Sequence, residues 1–152
     1  YDRGHLAPAA DMAWSRLAMD DSFYMSNIRP QFYSFNRGAW KKLEKQVRDW
    51  AETYQSLFIV SGGILEKSLK KIGSGVSVPN KYFKVILHYN DNGMKAVGFL
   101  MPNEKLTKPI KYYATTIDYI EDLVNIDFFH ELPDKIEKEI ESSLDKSSWY
   151  WN

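Results

Sequence analysis

The sequence predicts an α+β domain. Apolar residues recur at three- and four-residue steps between Asn36 and Tyr54. A β-branched and aromatic run from Lys81 to Tyr89 precedes an Asp-Asn-Gly turn. Strands and helices follow one another without strict βαβ alternation, which separates this class from a doubly wound sheet.

Taken in order, "FYMSNI" (Phe23–Ile28) reads as a short strand that Arg29-Pro30 ends, because proline cannot donate to a ladder. The stretch from Asn36 to Tyr54 reads as a helix. Trp40, Leu43, Val47, Trp50 and Tyr54 form its apolar stripe, and Asn36 stands where an N-cap belongs. "SLFIVSGGIL" reads as a buried strand breaking at Gly62-Gly63, and Lys67–Gly75 as a flexible loop. Lys81–Tyr89 and "MKAVGFLM" pair as a hairpin across Asp91-Asn92-Gly93. A connector around Pro109 leads to two short helices. Thr116–Leu123 aligns Ile117, Ile120 and Leu123, and Pro133–Leu144 aligns Ile136, Ile140 and Leu144. Trp40 and Trp50 belong to the core, and the tail "SSWYWN" is expected to pack against the domain.

At 152 residues the chain suits one domain, spanning 1–152, and can bury about 70% of its unfolded surface without a metal or disulfide staple. It has no cysteine, which excludes disulfides, thiolate zinc sites and cysteine nucleophiles. No apolar run approaches the roughly 20 residues that span a bilayer, so no membrane partner is expected. The formal net charge of zero hides an uneven distribution. Arg37, Lys41, Lys42, Lys45 and Arg48 surround the single acid Glu44, whereas ten acids face Lys135 and Lys138 between Asp118 and Asp145. A phosphate feels charge within a Debye length of about 8–10 Å, so the basic stretch is a candidate nucleic-acid surface. The acidic third reads as a solvated face.

Other candidates are weak. His88 and His130 lie far from His5, so no zinc cluster is spelled out. Gly73-Ser74-Gly75 lacks the Gly-Lys-Ser/Thr ending of a phosphate loop.

The remaining signal is a linked set: "DRGHLAPAAD", then "YMSNIRPQ", then "FNRGAWKKLEKQVR". Its order, spacing and residue types resemble the DNA/RNA non-specific endonucleases, the Serratia-type ββα-metal (His-Me finger) nucleases that include the endonuclease G group. The resemblance runs from Asp2 to about Leu132. It implies a central antiparallel sheet with flanking helices and a ββα-metal motif, in which the Phe23–Gln31 strand and loop lead into the Asn36–Tyr54 helix.

It also implies a Mg²⁺-dependent hydrolase of DNA and RNA, with Mn²⁺ a possible substitute, yielding 5′-phosphates. His5 would be the general base; alone it would read as a structural histidine near a turn. Asn36 would be the metal ligand, a role compatible with capping because an amide oxygen has two lone pairs. Glu44 would orient the waters of the ion, or else pair with Arg48 on the helix surface. Arg3 would clamp the phosphate. Asn27 would help arrange the site, or close a strand end.

Arg48, Arg37 and Lys41 would bind substrate. Gly4 would let the backbone approach metal or substrate, and Asp2 would pair with local backbone donors. Gln31 and Asp11 belong to the motif without an assigned role. The family carries strands and another arginine before the DRGH stretch, and these are expected to be missing here. Two other functions stay open: a non-cleaving nucleic-acid-binding module, and a toxin-type nuclease domain held by an inhibitor. A homodimer is a further possibility, and the expected setting is secreted or periplasmic.

Overall fold

A computed structural model describes residues 1–90 and 93–152. Strand β1 (Asp2–His5) pairs antiparallel with β2 (Ile28–Gln31). A 3-10 turn at Ala9–Met12 and helix α1 (Arg16–Asp21) lie between them. A π-helical segment, Phe35–Trp40, then runs into α2 (Lys41–Tyr54). The main sheet has four antiparallel strands in the order β3 (Phe58–Gly63), β6 (Lys81–Asn90), β7 (Gly93–Pro102), β8 (Ala114–Thr115). Strands β4 (Lys70–Ile72) and β5 (Val76–Val78) form a separate hairpin. Helices α3 (Ile117–Val124) and α4 (Asp134–Ser142) close the chain.

Strand alternation builds a core on each face of the main sheet. Tyr82 and Ile86 of β6, with Val97, Phe99 and Met101 of β7, meet Trp40, Leu43, Val47 and Trp50 of α2. Phe83, Val85 and Leu87 point the other way, to Ile117 and Ile120 of α3. The α+β class and the helix-flanked antiparallel sheet are therefore as expected. Gly98 is required where α3 crosses β7, because a Cβ there would lie 2.7 Å from Ile120 Cδ1.

The tail packs as expected. Trp149 lies 4.4 Å from Trp50, centroid to centroid, and the Trp50 indole donates to the Tyr150 carbonyl. The helix of the C-terminal region begins at a true cap, with Thr116 accepting from the Tyr119 N–H. Among the described residues no helix is long and apolar enough to cross a membrane.

Several expectations are corrected. Phe23–Asn27 is a run of turns, and the strand begins at Ile28. Pro30 sits inside β2 opposite Arg3, which a two-stranded ribbon tolerates because one side of β2 lacks a ladder partner. Gly62-Gly63 does not break β3, which instead has Phe58, Ile59 and Val60 exposed. As an edge strand it escapes the helices that cover β6 and β7. Part of Lys67–Gly75 is ordered in the β4–β5 hairpin, with Gly73 and Gly75 at positive φ in its turn. The expected turn at Asp91-Asn92-Gly93 falls on Asp91 and Asn92, outside the described residues. The acidic third is not simply a solvated face, because Glu141 is only 4% exposed.

Candidate active site

The ββα core brings most of the singled-out residues to one place. His5, Asn36, Arg37, Lys41, Glu44 and Arg48 line a single cleft of about 230 Å³ against the Pro8–Ala10 segment. His5 comes from the end of β1, Asn36 and Arg37 from the π-helical segment, and Lys41, Glu44 and Arg48 from α2.

His5 is held on several sides. Its carbonyl accepts from the Trp40 indole at 3.3 Å, and its ring stands edge-on to Phe23 at 4.6 Å. Its Nε2 is buried and has no hydrogen-bond partner among the described residues. Burial holds the imidazole below its ordinary value, so it is neutral at neutral pH with a lone pair to offer. The Asn27 side chain secures the segment that follows. Its Oδ1 accepts from the Ala7 N–H, and its Nδ2 donates to the carbonyls of Ala7 and Ser22, all at 2.8–2.9 Å. Asn27 thus fixes the chain beyond His5 and does not itself line the His5 cleft.

Asn36 is not the N-cap. Ser34 stands there, and the Asn36 N–H already bonds to the Phe32 carbonyl at 2.8 Å. The Asn36 Nδ2 donates to Asp2 at 3.1 Å, which leaves Oδ1 as the amide atom without a protein partner among the described residues. Asp2 therefore pairs with side chains and not with backbone donors. It also receives both arms of Arg37, at 2.8 and 2.9 Å, and these with Asn36 hold its carboxyl below the usual range. A free amide oxygen beside a neutral imidazole and a carboxylate suits a hard cation that needs few protein ligands.

Glu44 does not pair with Arg48, which instead binds Asp11 at 2.8 Å. Burial pushes the Glu44 carboxyl up, against the pull of Lys84 and Arg48. Lys84 is fully buried at the centre of β6, where its parity faces α2. Its ammonium donates to Ser61 Oγ at 2.6 Å and the Leu6 carbonyl at 3.4 Å, and lies 4.9 Å from the Trp40 ring. Desolvation pulls the Lys84 value down, partly offset by Glu44 and Asp11. A second hollow of about 390 Å³ joins Lys84, Asp11, Asn27 and Ser61 to the same Glu44.

Two residues stand apart from expectation. Arg3 lines a groove between the β1–β2 ribbon and the β4–β5 hairpin, with Tyr1, Arg29 and Val76, and not the His5 cleft. Asp2, the acid beside it, is already taken by Arg37. Gly4 makes room for a protein group: a Cβ there would collide with the fully buried Gln31 side chain.

Sequence reasoning missed Lys84 and left Asp11 without a role. The signal for Lys84 was present, since a single lysine inside an apolar run of a central strand has to be buried.

The model of the family described as DNA/RNA non-specific endonuclease matches residues 1–135, and that family is one of metal-dependent nucleases. The chain is 37% identical over 135 residues to mitochondrial endonuclease G of Bos taurus, covering 80% of this chain and 45% of that protein. It is 32% identical over 155 residues to the mitochondrial nuclease of Saccharomyces cerevisiae, covering 88% and 47%. The chain thus spans about half the length of the curated relatives it matches. Its fold is similar to that in the crystal structure of the EndoG/EndoGI complex, with a TM-score of 0.82 at 30% identity, over 89% of this chain and 61% of that one.

Proposed function

The chain belongs to the DNA/RNA non-specific endonuclease family, and from that premise we propose that it hydrolyses phosphodiester bonds in DNA and RNA with Mg²⁺, or Mn²⁺ in its place. The observation that carries the reading is the buried, unpartnered Nε2 of His5 in one cleft with Asn36 and Glu44. A neutral imidazole near pH 7 is suited to take a proton from water. The oxygen of that water attacks phosphorus, the bond from phosphorus to the 3′-oxygen breaks, and the 3′-oxygen is protonated from solvent. The products carry a 5′-phosphate and a 3′-hydroxyl.

The Trp40 bond to the His5 carbonyl and the Asn27 bonds to Ala7 keep His5 and the following segment from swinging. Asn36 would hold the ion through Oδ1, and Glu44 would orient its waters. Bound there, the ion supplies Lewis-acid polarisation of the phosphate and stabilises the leaving oxygen. Lys41 gives the rim a positive charge that would attract the polyanion whatever its sequence, and Arg37 and Arg48, paired with Asp2 and Asp11, would add donors for it. Arg3 lies outside this cleft and takes no part in the scheme.

A nuclease without sequence preference has to be kept from the nucleic acids of its own cell. That supports a secreted or periplasmic setting, just as the names of several relatives place them in mitochondria. The solved EndoG/EndoGI complex concerns inhibition, which supports an inhibitor protein as a partner of this chain.

The test is His5→Ala, assayed on supercoiled plasmid and on RNA with Mg²⁺. Loss of a general base is expected to slow cleavage by about 10²–10⁴-fold. Full activity in the variant would overturn the mechanism. Salt-sensitive binding with no cleavage by the parent protein would leave a nucleic-acid-binding module instead.

A further inference from the structure

On the face of the sheet away from α2, carboxylates crowd where α3 and α4 meet. One oxygen from each of Asp118, Glu121 and Glu141 lies within 4.8 Å of the other two. The same holds for Asp127, Glu137 and Glu141, so Glu141 is common to both sets. Acidic residues gathered on a surface need no explanation, but this group is different. Glu141 is 96% buried, and its Oε1 has no hydrogen-bond partner, nor has the buried Oε1 of Glu137. Among the described residues no salt bridge joins any of the five to a lysine or arginine. The Phe128 N–H donates to Glu121 Oε1 at 2.7 Å and fixes the connecting segment over α3.

A buried carboxylate without a partner has a large desolvation penalty, and like charges around it add to that. Either protons or a cation must relieve it. The spacing favours a cation. Three carboxylate oxygens that lie within 4.8 Å of one another can all reach one Ca²⁺ ion, whose ligands stand about 2.4 Å from it. Carboxylates from the two helices can thus surround one ion of that size. Mg²⁺ demands a tighter octahedron and keeps most of its waters, so it fits an all-carboxylate cage less well.

We infer that Glu141 of α4, with Asp118 and Glu121 of α3, forms a Ca²⁺ site, separate from the nuclease cleft, that ties α4 to α3. Asp118 and Glu121 lie within the residues that the family match covers, and Glu141 lies beyond its end at residue 135. The physical role of the site is to fasten α4, since Ile140 packs beneath it on the core formed by Phe83, Val85 and Ile120. The site stands independently of the proposed catalytic reaction.

The experiment is calorimetric titration of the chelator-treated full chain with CaCl₂, together with thermal melts. One ion per chain with a Kd between about 10⁻⁵ and 10⁻³ M is expected. Saturating Ca²⁺ should raise the melting temperature by about 5–10 °C. Glu141→Gln, which keeps the side-chain shape, should abolish both the heat and the rise. Asp118→Asn, on the half-buried rim, serves if that variant folds poorly. Asn36→Ala should leave the Ca²⁺ response intact. No heat and no rise in the parent chain, or an unchanged response in both carboxylate variants, would overturn the site. So would loss of the response in Asn36→Ala alone, which would assign the ion to the cleft.

Discussion

Glu44 and Glu141 are both carboxylates that the fold takes out of water, yet their surroundings are opposite. Burial pushes the Glu44 carboxyl up to about 7, and the positive charges of Lys84 and Arg48 offset only part of that rise. Glu141 is faced by Glu121, Glu137, Asp118 and Asp127, which add to its burial and push its carboxyl up to about 7. In the first place the protein supplies the counter-charge itself. In the second it supplies only acceptors. The contrast shows that burial alone does not say what a carboxylate is for; the sign of its neighbours does.

The comparison can be broken first at Glu44. Glu44→Gln keeps the shape and removes the charge, and a water-orienting role predicts a fall in plasmid cleavage of about 10–100-fold. A variant as active as its parent would reduce Glu44 to a counter-ion for Lys84. Next, Lys84→Met makes Glu44 resemble Glu141 by removing its strongest opposing cation. About tenfold slower cleavage at neutral pH is expected, with recovery as pH rises and Glu44 ionises. A pH–rate profile of the variant against the parent checks this, and a drop that is uniform with pH would point to lost packing instead.

The smallest effect concerns stability. The Glu141 carboxyl rises from an ordinary 4.5 to about 7 in the folded chain. Below about pH 4.5 both states are protonated, and this group imposes no penalty. Between about 4.5 and 7 the unfolded chain ionises while the folded chain keeps its proton, so folding is progressively disfavoured as pH rises. In chelator, the melting temperature of the parent relative to Glu141→Gln should therefore fall across that window. A constant difference between the two would show that Glu141 is not buried as a lone acid.

How much of this was legible in the sequence differs from element to element. The Trp40–Leu43–Val47–Trp50 stripe and the β6–β7 pair were readable because their periods are local. The start of β2 was not. Phe23–Asn27 is aromatic enough for a strand, but Asn27 uses its amide to hold Ala7 and Ser22, and that contact makes a turn. The site shows the same division. His5, Asn36 and Glu44 were found by their linked spacing and do share a cleft. Arg3, two residues from His5, does not join them, because nearness in the chain does not decide which groove a side chain enters. Gly4 was read as an approach for metal or substrate, whereas it gives space to Gln31 on the paired strand.

The sequence by itself determined the class, the main helix, the central hairpin and the identity of the residues around His5, since those rest on patterns within a few turns of chain. Only the tertiary structure decided their partners. Lys84 reaches the Glu44 side because β6 alternates and α2 covers that face. Arg48 pairs with Asp11 and not with Glu44, four residues before it in the chain, because the 3-10 turn delivers Asp11 to within 2.8 Å. The carboxylates of α3 and α4 converge only once both helices pack on the same side of the sheet. Charge interactions act through space and depend on desolvation, and neither quantity exists until the chain has folded.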